Sequence, residues 1–340
     1  MQNSLFDESE NVCVNPTKKS SKTVESAVAS QELITLSQSL PPNLRLGTSS
    51  WSCPGWEGLV WDGEYSESNL SRYGLTAYDK HPLFRTVSVD RGFYRPMNVA
   101  EFAAYASQVS QDFRFIVKAP NLVTDALVRD ESGRGMRPNI HFLSALDAVQ
   151  KFVEPALEGL GHRLGALVFQ ISPLPTTWLP RIPELINRLH RLLKAIPHLR
   201  PIAPDGVIAV EVRDAEWLTP QFVDVLRDAG ATYCMGLHAK MPSIDEQVPI
   251  LRKLWPGPLV CRWNLNPVHG AFGYEDAGQI YSPYNRMIDP DLETRAKLAK
   301  VIAGTASAGQ NVYVSISNKA EGSAPLSVIE LAKAIHQYKL

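Results

Sequence analysis

Short apolar runs that each end in a polar or charged side chain recur along this chain, with helical patterns between them. Eight such runs are present: Leu44–Thr48, Arg85–Val89, Phe113–Lys118, Ala166–Ile171, Val207–Arg213, Ala231–Gly236, Pro258–Trp263 and Asn311–Ser317. The main helical patterns cover Val99–Val109, Ile140–Leu157, Ile182–Ile196, Pro220–Ala229 and Leu292–Ala308. Strands that alternate with helices form parallel sheets, and eight such units close a barrel. The pattern therefore predicts an α/β fold, a closed parallel (βα)8 TIM-type barrel.

The polar residues that end these runs fall where a barrel of this type carries its reactive groups, at the carboxyl ends of the strands. They are Trp51, Asp90, Lys118, Gln170, Glu211, Arg213, His238, Arg262 and Asn318. The pattern thus locates a site without identifying its chemistry.

The composition of the chain changes near Pro41 and Pro42. Residues 1–42 are rich in Ser, Asn, Gln, Lys and Glu, and we predict a disordered N-terminal arm in which Ala27–Leu40 alone has the pattern of a short amphipathic helix. Residues 43–340 have a globular composition and are predicted to form the barrel domain. Two long loops, Ser49–Asn69 and Asn264–Ile288, carry several aromatic side chains, which either wall a substrate pocket or cap the barrel.

Bulk properties restrict the partners of the protein. The formal net charge of −1 gives no overall attraction to nucleic acid or to an anionic membrane, so an anion site needs a local cluster of charge. The four cysteines form no CxxC or disulfide pattern, and the chain has neither a signal-peptide core nor an apolar run of the ~18 residues that span a bilayer. We therefore expect a cytoplasmic protein without a membrane segment.

Seven stretches, in the same order along the chain, resemble signatures of the YecE-like family, also called domain of unknown function 72. They are Leu46–Trp56, Gly92–Pro96, Phe113–Pro120, Leu164–Gln170, Val210–Arg213 with Trp217, Arg262, and Asn318 with Gly322. The resemblance implies a closed parallel βα barrel. It implies no reaction, because the family has no settled activity.

The chain also departs from the family's pattern, including at four positions where the resemblance leads us to expect histidine. Loss of four imidazoles removes the usual proton carriers near neutral pH. A degenerate site and a repurposed site are both compatible with this loss. The departures are Ser88 and Asp90, where the family has Glu and Asn, and Asp125, Asp214, Asn264 and Lys319, where it has His.

Glu211 and Arg213 form the sharpest local pattern. Because side chains alternate between the faces of a strand, these two share a face, while Val210 and Val212 point to the outer helices. A charged group inside a barrel is costly unless it is paired, so the two are expected to engage each other or neighbouring strand ends. The pair either belongs to the active site, with Glu211 as general acid or base and Asp90 as its partner carboxylate, or only orders the barrel.

Lys118 ends a largely apolar strand, where a lysine acts either as a base or Schiff-base nucleophile or as a fixed cation. We favour the fixed cation, which with Arg213 and Arg262 would hold an anion. The guanidinium groups of Arg262 and Arg95 suit bidentate oxyanion binding. Five further candidates are expected to orient or stack on a substrate, or else to pack: Gln170, Asn318, Trp51, Tyr94 and Trp217.

Motifs for common cofactors are missing. The chain has no GxGxxG after a strand, no GxxxxGK[ST], no HExxH and no paired Cys/His spacing, so we predict no cofactor and no metal. A metal held by separated strand ends, such as Asp90, Glu211 and His238, stays open.

One motif lies outside the predicted barrel. The segment Gln2-Asn3-Ser4-Leu5-Phe6 resembles the short peptide with which bacterial proteins dock on the DNA sliding clamp. A disordered tail with two apolar anchors suits binding in a groove. The alternative is a solvated tail in which Leu5 and Phe6 are incidental.

These patterns lead to two functional hypotheses. The first is an enzyme, or an enzyme-derived binder, that acts on an anionic small molecule at the strand-end face of the barrel. The second is a DNA-associated accessory or nuclease-like protein tethered to the clamp through residues 2–6. A narrow positive pocket favours the first hypothesis and a broad basic groove favours the second.

Overall fold

Eight parallel strands form a closed barrel in the computed structural model, which describes residues 23–130, 133–270 and 272–338. Each predicted apolar run overlaps one of these strands, so the predicted fold class is confirmed. Within the described residues, two more strands, β4 (Leu127–Arg129) and β5 (Gly135–Pro138), pair as an antiparallel hairpin beside the barrel. In their order around the barrel, the eight strands are β1 (Leu44–Thr48), β10 (Val312–Ile316), β9 (Leu259–Trp263), β8 (Thr232–Leu237), β7 (Val207–Glu211), β6 (Leu164–Gln170), β3 (Arg114–Lys118) and β2 (Phe84–Val89).

Helices connect the strands and cover the barrel. They are α1 (Gln31–Gln38), α2 (Glu67–Tyr73), α3 (Leu75–Asp79), α4 (Val99–Ala106), α5 (Asn121–Thr124), α6 (Ala145–Ala148), α7 (Glu154–Leu160), α8 (Ile182–Ala195), α9 (Pro220–Asp228), α10 (Ile244–Lys253), α11 (Tyr274–Tyr281), α12 (Leu292–Ser307) and α13 (Ala324–His336). All five predicted helical patterns overlap helices. Within the pattern Ile140–Leu157, a π-helical turn over Val149–Val153 connects α6 to α7. No helix in the described ranges has both the length and the apolar character needed to cross a bilayer.

The barrel interior is apolar at its centre and carries a layer of polar and charged side chains toward the carboxyl ends of the strands. Side chains of Ile116, Val168, Ala209, Cys234 and Val260 form a buried cluster separate from the main core under the helices. Because side chains of a strand return to the same face every second residue, the next inward positions lie one layer nearer the strand ends. These positions carry Lys118, Gln170, Glu211, Gly236 and Arg262.

Part of the predicted disordered arm is ordered. Val24 is buried in the main core, and the Ala27 amide donates to the Val60 carbonyl across 2.9 Å. Helix α1 packs against α13, as its apolar spacing allows, and lies within the segment 27–40 that the sequence marks as amphipathic. Residues 23–42 thus contribute apolar side chains to the packing against the barrel domain, and the helical pattern of Ala27–Leu40 overlaps α1. Residues 1–22 lie outside the described residues.

Candidate functional site

Arg262 is the centre of a buried network of charged and amide groups. One of its terminal nitrogens donates to Gln170 Oε1 at 2.7 Å and to Glu211 Oε2 at 2.8 Å. The other donates to Asp90 Oδ2 at 2.6 Å. Ser88 donates to the second oxygen of Asp90, also at 2.6 Å. The fork of a guanidinium fixes several acceptors in one plane, so this arginine sets the geometry of the strand-end face.

Glu211 and Arg213 form the ion pair that their shared face predicts, with Nε of the arginine 2.9 Å from Oε1 of the glutamate. Arg213 also donates to Gln170 Oε1 at 3.0 Å, so one amide oxygen receives both guanidinium groups. Strand β8 separates Glu211 from Arg262, and it carries Gly236 in register with Arg262. A Cβ at residue 236 would lie 3.1 Å from Glu211 Oε1. Because Gly236 has no side chain, there is space beside β8 in which Glu211 and Arg262 can meet.

The network keeps Glu211 ionised in the interior. Burial alone would raise the pKa of Glu211, but the positive charges of Arg213 and Arg262 outweigh burial and hold that pKa below its usual value. The side chain is 0 % exposed, so it is out of reach of a ligand in the described structure. Its geometry is that of a group that positions Arg262.

Lys118 is also buried and belongs to the same layer. Its Nζ lies 3.8 Å from the centroid of the Phe93 ring, a cation–π contact. The charge of Lys118 contributes to lowering the pKa of Glu211. Lys118 thus lies buried in the layer that also carries Glu211, and its role, as a base or as a fixed cation, stays a prediction.

A cleft of about 860 Å³ opens above the network, between the loops that follow β1, β2 and β9. Arg262 and Asp90 are the network members that line it, and the Asp90 side chain is 29 % exposed. Half-buried serines of the loop after β1 line one wall, together with Trp51. Trp51 is mostly buried and packs edge-on against Tyr105 at 5.1 Å between ring centroids.

The outer rim of the cleft is basic. Arg72 stands in the last turn of α2, and Arg91 begins the short 3₁₀ turn Arg91–Phe93; both are exposed. Arg95 lies on the same loop and pairs with Glu101 in the first turn of α4. Sequence reasoning identified only Arg95 of these three. The spacing of Ser68, Ser71 and Arg72, which places them on one face of a helix, could have indicated the rim. The helix was missed because its first residues fall in the predicted loop Ser49–Asn69.

The predicted candidates therefore divide into three groups: residues that line the cleft, residues of the buried network, and two residues with structural contacts. Asp90, Arg262, Trp51, Tyr94 and Arg95 line the cleft. Glu211, Arg213, Lys118 and Gln170 form or border the network beneath it.

Two candidates have structural contacts instead. Trp217 is wholly buried and packs against Phe222 at the start of α9. Asn318 Oδ1 accepts hydrogen bonds from Trp56 Nε1 at 3.0 Å and from the Ala324 amide at 2.9 Å.

The comparisons with known proteins agree with this architecture. The profile of the family described as "Protein of unknown function DUF72" matches residues 45–340. The chain belongs to the DUF72 family. No curated protein matches the sequence.

Solved structures of DUF72 proteins share the fold. A DUF72 family protein from Enterococcus faecalis is 17 % identical, with a TM-score of 0.57, and the match covers 86 % of this chain and 95 % of that protein. A DUF72 family protein from Thermotoga maritima is 17 % identical with a TM-score of 0.54, covering 87 % of this chain and 99 % of that one. At this identity the likeness establishes the fold alone.

The residues that depart from the expected DUF72 pattern make contacts with nearby side chains or backbone groups. Asp125 accepts from Arg129 at 2.7 Å, and Asp214 accepts from the Leu174 amide at 2.9 Å. Burial raises the pKa of Asp214.

The remaining departures lie nearer the cleft. The Asn264 side chain donates to the Arg262 carbonyl at 3.3 Å, and Asn264 also lines the cleft. The Nζ of Lys319 lies 3.4 Å from the ring centroid of Tyr274, another cleft residue. Where the resemblance leads us to expect two imidazoles, this chain thus has an amide and an ammonium group.

Two further sequence hypotheses concern a metal and the sliding clamp. His238 Nδ1 accepts from the Lys240 amide at 3.2 Å, whereas Asp90 and Glu211 both bond Arg262. In the part of the chain that the structure describes, no three acid, His or Cys side chains are grouped as a metal site would need. The clamp-like motif, Gln2 to Phe6, lies outside the described residues and stays a prediction.

Proposed function

We propose that the cleft binds an anionic small molecule, and that Asp90 and Arg262 act on its polar part at the floor. The charge of the lining carries this proposal. Four arginines and two carboxylates line the cleft, and two of the arginines, Arg72 and Arg91, stand at its exposed rim. A concave site with one sign of charge concentrates ligands of the other sign.

Asp90 is the carboxylate best placed to act on the ligand. Glu211, which the sequence favoured as the acid or base, is sealed beneath Arg262, whereas Asp90 lines the cleft. Each Asp90 oxygen already accepts one hydrogen bond, from Ser88 and from Arg262, and a carboxylate oxygen has a second lone pair. Asp90 can therefore accept a hydrogen from a ligand hydroxyl or a water, and the fixed Arg262 charge can stabilise a neighbouring oxyanion.

The size of the site favours a small molecule over nucleic acid. A volume of about 860 Å³ falls in the range of ordinary ligand pockets, roughly 300–1,000 Å³. The hypothesis of a DNA-associated protein rests on residues 2–6 and gains no support from the cleft.

Calorimetry with inorganic phosphate, sulfate, ribonate and pyruvate tests the proposal on the full chain. We expect at least one of these anions to bind wild-type protein, with an affinity that falls as salt concentration rises. Asp90→Asn keeps the size and shape of the side chain but removes its charge, and it should alter the affinity for ribonate, the probe with several hydroxyl groups. Asp224→Asn on exposed α9 is the matched control and should behave as wild type. Absence of binding by all four anions would remove the proposal.

A further inference from the structure

The three cations that the sequence predicts to bind the anion, Arg262, Arg213 and Lys118, already contact other groups of the protein. Arg262 bonds two carboxylates and Arg213 bonds one, and both donate to Gln170. Lys118 is enclosed under the Phe93 ring. An anion that displaced these contacts would leave buried carboxylates without partners, which is costly. The ligand's charge is therefore better met at the rim of the cleft, where the arginines are exposed to solvent.

The rim supplies that charge from separate elements. Arg72 comes from the end of α2, and Arg91 comes from the loop after β2. On α2, Ser68 lies four residues and Ser71 one residue before Arg72, and both serines line the same cleft, as does Glu67 at the start of the helix. Guanidinium and hydroxyl donors from two segments thus line the same cleft.

This donor set suits a phosphate group. A phosphate monoester presents three oxygens and close to two negative charges, and it takes several charge-assisted hydrogen bonds from different directions. A carboxylate presents two oxygens in one plane and is satisfied by a single guanidinium fork. Two arginines from separate elements, with serine hydroxyls in the same lining, favour the phosphate.

The floor of the cleft recognises a different chemistry. Asp90 offers acceptor lone pairs and Asn264 an amide, and both lie near the fixed charge of Arg262. Acceptors at a charged floor suit ligand hydroxyl groups. The exposed ring of Tyr94 and the ring of Tyr274 border the same space and can cover the face of a sugar.

We infer that the ligand is a phosphorylated polyol of sugar-phosphate size, with its phosphate on Arg72 and Arg91 at the rim and its hydroxyls on Asp90 at the floor. This inference rests on the proposed function and names its ligand class. It places the phosphate beside the first two strands, whereas barrels of this type frequently hold phosphate at the loops after the seventh and eighth strands.

Three matched probes test the ligand class by calorimetry: ribose 5-phosphate, ribonate and ribose. We expect ribose 5-phosphate to bind at least tenfold more tightly than ribonate, and ribose not to bind. Its affinity should rise from about pH 5 to about pH 7, because the phosphate gains its second charge near pH 6.

Rim variants test the placement. Arg72→Gln and Arg91→Gln should each weaken ribose 5-phosphate and inorganic phosphate at least tenfold, whereas Asp90→Asn should weaken ribose 5-phosphate and leave inorganic phosphate unchanged. Arg191→Gln, on an exposed position of α8, is the control and should leave both affinities unchanged.

The outcomes separate the two proposals. Equal or tighter binding of ribonate, or rim variants with wild-type affinity for phosphate, would overturn the ligand class while anion binding itself stands. Failure of every anion, including the four used above, would contradict the proposed function and this inference together.

Discussion

Arg262 and Asp90 lie 2.6 Å apart, nitrogen to oxygen, although one belongs to β9 and the other follows β2. Strands β10 and β1 separate β9 from β2 around the barrel, so the contact reaches across the mouth. The same guanidinium reaches Glu211 in the sealed layer below. One guanidinium group thus joins the buried layer to Asp90, the carboxylate on the described floor of the cleft.

Removal of Arg262 should strongly destabilise the barrel. Arg262→Met leaves the buried Glu211 with one guanidinium partner instead of two, and breaking a buried pair typically costs about 3–5 kcal/mol. Urea unfolding of wild type and variant measures this loss as a lower transition midpoint. The combination with Glu211→Gln should cost less than the sum of the single changes, since the stranded charge is gone. Additive losses would show that the pair is not coupled.

Glu211 should make stability depend on pH on the acid side. Its pKa is lowered in the folded state, so folding binds fewer protons at this site than the unfolded chain does. The contribution is complete above the ordinary glutamate pKa of about 4.5 and is lost as the pH falls below that value toward the folded pKa. Urea unfolding from pH 7 down to pH 3 should show a shallower acid loss for Glu211→Gln than for wild type. Glu158→Gln, on exposed α7, should keep the wild-type profile.

Asn318 should matter for stability more than for binding. Its oxygen accepts from Trp56 and from the Ala324 amide, so Asn318→Leu strands two buried donors at about 1–3 kcal/mol each. Thermal unfolding should show a clear drop in melting temperature, with anion affinity near that of wild type. The reverse result, lost affinity at unchanged melting temperature, would restore the substrate contact that the sequence suggested.

The clamp hypothesis predicts that affinity resides in Leu5 and Phe6. Burial of each side chain contributes roughly 1.5–3 kcal/mol, so replacing both with Ala should abolish binding to purified sliding clamp. Fluorescence anisotropy with a labelled peptide of residues 1–22 measures this directly. Equal, negligible binding by both peptides would dismiss the motif and, with it, the sequence argument for a DNA role.

The strand pattern predicted the barrel well because alternation on a strand is a local property. The shared face of residues 211 and 213 was enough to place an ion pair inside the barrel, and it lies there. The role of Gly236 was not visible, because the space it leaves is filled by side chains from the strands on either side.

The cleft was harder to predict than the barrel. Its rim depends on how the segment after β1 folds, and Arg72 belongs to a helix that begins inside what the sequence marked as a loop. The chemistry of its floor depends on which of the two carboxylates bound to Arg262 remains exposed to the cleft. Asp90 and Glu211 are both acids at strand ends, and only the packed barrel distinguishes a 29 % exposed side chain from a sealed one.

The oxygen of Gln170 that receives both Arg213 and Arg262 has a mechanical consequence. Arg262 also bonds Asp90 after β2 and Glu211 on β7. These hydrogen bonds cross-link strands that are not neighbours in the barrel. A mouth braced in this way cannot widen without breaking several buried contacts at once. Any adjustment to an incoming ligand therefore has to come from the segments after β1 and β2, above a barrel mouth of fixed diameter.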